Sequence, residues 1–123
     1  MYVVRAAEAP TFELPGIRFT SLAAPGLGSS ETCVWQLAVD ADVSGEPHTL
    51  DHDEVFVVLA GRVRLSPEGL DLAAGDAAVV PAGEPIQLAN TGDVPARLQV
   101  AIRAGFTATM SDGTPVGTPP WAA

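Results

Sequence analysis

Short apolar runs of roughly four to eight residues recur along this chain, each closed by glycine, proline, aspartate or serine. Nearly no stretch repeats at the helical period, so the chain is restricted to strands and turns. Seven runs stand out: Tyr2 to Arg5, Ile17 to Thr20, Cys33 to Val39, Val55 to Leu59, Val63 to Leu65, Ala77 to Val80 and Leu98 to Ile102. An eighth covers Ile86 to Ala89. Two alternate clearly. Leu98, Val100 and Ile102 oppose Arg97, Gln99 and Arg103, and Cys33, Trp35, Leu37 and Val39 oppose Val34, Gln36, Ala38 and Asp40, as half-buried strands require. Many short strands at this spacing predict an all-β sandwich or barrel. The 12 glycines and 11 prolines fit a chain of many turns, with Gly61 placed to supply the positive φ of a tight hairpin between two runs. Leu22 to Ser29 and the tail from Ala104 read as loops or covering arms.

At 123 residues the chain makes one domain, and with 47% apolar and 17% charged residues it has the composition of a folded core. Its 15 acidic residues face only six arginines and no lysine, for a net charge of −9. That balance repels phosphate backbones and anionic membranes, so nucleic acid and membrane partners are excluded on charge. A lone cysteine, Cys33, forms no internal disulfide, and the N-terminus has neither the charged nor the apolar segment of a signal peptide. The expectation is a soluble, cytoplasmic protein.

Chemistry-bearing residues concentrate in one place. The only two histidines, His48 and His52, lie within six residues of Glu54. In an extended segment, positions 48, 50, 52 and 54 share one face, and two imidazoles with a carboxylate form a partial ligand set for a divalent ion of the Zn, Fe, Ni or Mn type. The alternative from spacing alone is a pair of polar residues on an acidic loop.

The segment Glu54-Val-Phe-Val-Val-Leu-Ala-Gly61 resembles the end of the first motif of the cupin superfamily. The segment from Gly75 to Asn90, with Pro81 and Gly83 between, resembles the second. The likeness spans residues 41 to 103 and implies an all-β, single jelly-roll β-barrel of two antiparallel sheets, with a site in its mouth and a homodimer as the assembly. Residues 1–40 would then supply the N-terminal strands and a dimer-contacting segment, and residues 104–123 a C-terminal arm that packs on the barrel or crosses to a partner.

Family members that bind metal use two histidines and the glutamate of the first motif with one histidine of the second. Here the resemblance maps those positions onto His48, Leu50, Glu54 and Ile86, so two of four are aliphatic. One reading takes the pocket as an apolar cup without cofactor, with Glu54 and His48 as catalytic residues and Gln36, Leu50, Phe56, Ile86 and Leu88 against the substrate. In such a cup the Glu54 carboxyl is desolvated, its pKa rises, and it serves as a base with His48 as acid or electrophile in an isomerase, cyclase or lyase acting on a small, mostly apolar molecule. A second reading keeps a divalent metal on His48, His52 and Glu54. A third is a non-catalytic ligand-binding or sensor module. Trp35 and Trp121 read as core or interface anchors, Arg62 and Arg64 as exposed ion-pair partners, and Cys33 as a buried, inert thiol.

Overall fold

A computed structural model describes all residues from 1 to 123. Twelve strands form: β1 (Thr11–Leu14), β2 (Ile17–Ala23), β3 (Thr32–Val39), β4 (His48–Leu50), β5 (Glu54–Ala60), β6 (Arg62–Ser66), β7 (Leu70–Ala73), β8 (Ala77–Val80), β9 (Gln87–Ala89), β10 (Ala96–Arg103), β11 (Ala108–Met110) and β12 (Pro115–Gly117). One wall is a six-stranded sheet in the order β1-β2-β3-β10-β5-β8. Facing it are two three-stranded sheets, β12-β11-β4 and β7-β6-β9. An antiparallel bridge between His48 and Ile86, with backbone hydrogen bonds of 3.0 and 2.9 Å, joins these two into a second wall. The result is the jelly-roll barrel of two antiparallel layers.

The core follows from period-two patterning. On β3, Cys33, Trp35, Leu37 and Val39 are buried, and on β10 so are Ala96, Leu98, Val100 and Ile102. These two strands pair along their full length, so their apolar faces coincide. β5 lies on the other side of β10 and sends Glu54, Phe56 and Val58 inward. At the β5–β6 turn, Gly61 adopts φ +78°, and an added Cβ would meet Ala96 Cα and Pro95 O at 2.9 Å each. Backbone crowding as well as φ therefore demands glycine there.

The N-terminal expectation needs correction. Tyr2 to Arg5 is not a strand: Met1, Tyr2 and Val3 are exposed, and a 3-10 turn over Ala6–Glu8 follows. The edge beside β2 is taken by β1, reached through the tight turn at Gly16, and residues 2–5 join no ladder. The tail does pack on the barrel. β11 pairs with β4, and a final 3-10 turn over Pro120–Ala122 is held by Ser21 Oγ donating to Trp121 O at 2.8 Å and by Gly26 N donating to Ala123 O at 3.1 Å. No helix is long and apolar enough to cross a membrane.

Candidate functional site

Between the two walls lies a cavity of about 240 Å³, and 15 of its 20 lining residues are hydrophobic. An apolar cavity of ~150 Å³ already accepts benzene, so this one has room for a larger ring system. The strand alternation explains its floor. His48 and Leu50 share a face of β4, Glu54 and Phe56 a face of β5, and Ile86 and Leu88 flank the start of β9, so all six line the same space. Leu50, Phe56, Ile86 and Leu88 are each at least nine-tenths buried. The tail adds Phe106, Met110, Val116 and Trp121 to the lining, with Met110 beside His48 across the β4–β11 pair.

Glu54 is the chemical centre of this chamber. It is 4% exposed, and its Oε1 is buried with no hydrogen-bond partner. Removal from water penalises the charged form, and burial pushes the carboxyl up to about 8. His48 lies on β4, in the wall facing the large sheet, with Nδ1 2.9 Å from the carbonyl oxygen of Glu46. A carbonyl only accepts, so Nδ1 carries the hydrogen, and in the neutral ring Nε2 keeps the lone pair.

Two expected contacts fall outside the cavity. Gln36 sits on the opposite face of β3 from Trp35 and Leu37, across from Gln99, and accepts from Arg97 Nη2 at 3.5 Å. The apolar face of that strand takes the interior, and a period of two leaves Gln36 outside. His52 lies in the turn before β5, with Nδ1 2.8 Å from Asp51 Oδ1 and a third of its side chain exposed. The same carboxylate accepts from Thr107 N and Thr107 Oγ1, both at 2.8 Å. These bonds, the Thr107 amide foremost, hold Asp51 down to about 2 and fasten the turn to the start of the tail. His52 thus belongs to a surface staple and not to the cavity lining.

The donor chemistry can be set against the metal that the resemblance implies. Leu50 and Ile86 face the chamber at two ligand positions, His52 is tied to Asp51, and no group of three or more His, Cys, Asp or Glu side chains is placed to hold an ion. The residues present do not fit that metal.

The sequence reading missed the aromatic wall as part of the site. Trp121 stacks on Phe19 with ring centroids 3.7 Å apart, and Trp35 meets Trp121 edge to face at 6.5 Å. Its only signal in sequence was the apolar content of the tail, since contacts between residues 35 and 121 have no local signature. Cys33 is fully buried, and its thiol is pushed up by desolvation, in keeping with an inert residue.

Solved structures with this architecture are numerous. The polyketide cyclase RemF from Streptomyces resistomycificus superposes with a TM-score of 0.77 at 17% identity, over 98% of this chain and 88% of that one. An RmlC-like cupin from Shewanella frigidimarina NCIMB 400 gives 0.71 at 17% identity, over 84% and 90%. A sugar phosphate isomerase of the cupin superfamily from Silicibacter pomeroyi DSS-3 gives 0.65 at 29% identity, over 80% and 67%. No curated protein matches the chain. The family model described as the cupin domain matches residues 34–103, which covers both motifs and the segments carrying His48, Leu50, Glu54, Phe56, Ile86 and Leu88. The two-walled barrel and the motif spacing have one common explanation: this chain belongs to the cupin superfamily.

Proposed function

We propose that the chamber binds a small, mostly apolar carbonyl compound and moves a proton within it, as an isomerase, cyclase or lyase does. The observation that carries this reading is Glu54, a buried ionisable side chain in the wall of an apolar cavity, with no protein partner for Oε1. Burying such a group weakens the fold, and sites that tolerate this are enriched in proton-transfer chemistry. With its carboxyl pushed up to about 8, Glu54 holds its proton at pH 7. The protonated acid donates to the substrate oxygen, and the Nε2 lone pair of His48 takes the proton from the adjacent carbon. Removal of the carbon proton and protonation of the oxygen yield the enol, and the reverse transfers to another carbon complete an isomerisation. These roles exchange those expected from the sequence, because the His48–Glu46 bond fixes the tautomer and burial keeps Glu54 neutral.

The step uses no metal, in keeping with the donor set. Substrates of the phosphosugar kind fit poorly, since none of the six arginines lines the chamber. The likeness to a polyketide cyclase supports a carbonyl-rich, apolar substrate. We also propose the homodimer that the resemblance implies. Its support is an apolar row on the outer face of the large sheet, Val34, Ala101, Val55 and Val79, aligned by strand register. Sedimentation of the intact chain at twice the protomer mass is the expected result, and a monomer at high concentration refutes it.

The chemistry is tested with α-tetralone in D2O, following deuterium entry at the carbon beside the carbonyl by NMR. The intact chain should accelerate exchange, and Glu54→Gln and His48→Gln should each reduce the protein-dependent rate roughly tenfold or more. Equal exchange in all three proteins contradicts the reading. Binding without any acceleration favours a non-catalytic module instead.

A further inference from the structure

The buried aromatic side chains of this chain gather in one place. Phe19, Trp35, Phe56 and Phe106 all line the cavity, and the half-buried Trp121 joins them. The buried core outside the cavity has no ring: Val39, Val58, Val63, Leu65, Leu72 and Leu98 pack there. Large rings serve any part of a core, so burial alone does not explain why they surround the one hollow part of this one.

The rings also keep to one side. Strand register sets Trp35 and Phe56 on either side of Val100 in one row of the large sheet, and Phe19 opposite Leu37 in the next. The tail extends this surface, with Trp121 stacked on Phe19 at 3.7 Å and Phe106 beside Trp35 at 6.0 Å. The other wall supplies His48, Leu50, Ile86, Leu88, Ala108 and Met110, and no benzene or indole ring.

We propose that the ligand is a planar, unsaturated ring ketone that lies with one face on the aromatic wall and the other toward Leu50 and Ile86. This inference deepens the proton-transfer reading and rests on the chamber being the ligand site. Aromatic pairs gain free energy beyond the area they bury, whereas a saturated ring of similar size gains the burial alone. The wall therefore selects flat π-systems over puckered aliphatic rings. One pose serves both binding and chemistry. Glu54 precedes Phe56 by two residues on the same face of β5, so a ring resting on Phe56 carries its ketone beside the carboxyl. Its second face is turned to the wall that holds His48, and a proton beside a ketone leaves from a face of the carbonyl plane.

The test compares α-tetralone with trans-α-decalone, the same bicyclic ketone with its benzene ring saturated. α-Tetralone should bind roughly two- to tenfold more tightly, and NOE contacts should run from its ring protons to the side chains of Trp35 and Phe56. Trp35→Leu and Phe56→Leu should each lower the affinity ratio of the two ketones by roughly twofold or more, whereas Trp35→Phe, which keeps a ring at that place, should preserve it. Equal binding of both ketones by the intact chain refutes the aromatic wall as a selector and leaves the proton-transfer reading standing. A ratio undiminished in both leucine variants refutes it too, since the preference then comes from ligand thickness. Should a leucine variant fail to fold, the NOE contacts of the intact chain decide, and contacts confined to Leu50 and Ile86 overturn the inference. Should neither ketone bind, the chamber is not the ligand site, and both readings are refuted.

Discussion

A carboxyl placed as Glu54 is, inside an apolar chamber, makes stability depend on pH in an unusual direction. Below about pH 4.5 folded and unfolded chains both hold the proton, and the contribution is fully favourable. Between 4.5 and about 8 the unfolded chain has lost that proton while the folded chain retains it, so stability falls as pH rises; above about 8 the loss is complete. Glu54→Gln mimics the neutral acid and does not titrate. Its unfolding free energy should match that of the parent near pH 4.5 and exceed it increasingly toward pH 8.5, by a difference on the order of a few kcal/mol, with the melting temperature rising in step. Parallel melting curves for the two proteins across this range would show that the carboxyl is not desolvated. At the same scale, the sequence made Leu50, Phe56, Ile86 and Leu88 legible as chamber residues because each is fixed by a motif position and a period of two. Gln36 was misplaced against the alternation of its own strand, which already sets it opposite Trp35 and Leu37, and His52 because nothing in the local pattern shows that Asp51 captures it.

Among the elements, β3, β5 and β10 were readable from sequence since strict alternation marks a strand with one face on the core. β1, β7 and β12 were not. Only Leu72 is buried among the four residues of β7, and none is buried in β1 or β12, so their pairing is set by neighbours and not by their own pattern. The turn between β5 and β6 offers a local check: Gly61→Ala should destabilise the fold by about 1 to 3 kcal/mol in urea denaturation, because it adds both φ strain and a backbone clash. A change under ~0.5 kcal/mol would mean that the turn relaxes freely. The tail is likewise structural. Phe106 is 1% exposed, and Phe106→Ala should cost roughly 3 to 5 kcal/mol, while removal of residues 105–123 should lower the melting temperature and open the chamber to water. An unchanged melting temperature in the truncated chain would contradict the packing of the tail.

For the whole molecule, barrel closure and aliphatic side chains at the two positions where the resemblance places metal ligands produce the same outcome: an apolar chamber in which Glu54 Oε1 has no protein partner. The barrel itself was legible from motif spacing, yet the chamber's aromatic side was not, because it forms only when residues 19, 35, 106 and 121 converge from distant parts of the chain. The measurement that bears most directly on this picture is a carbon-13 NMR titration of the glutamate carboxyl groups, with the Glu54 signal identified by its loss in Glu54→Gln. A midpoint near 8 is the predicted result. A midpoint near the ordinary 4.5 would show that Glu54 is solvated, and the account of a dry, proton-transferring chamber would be wrong.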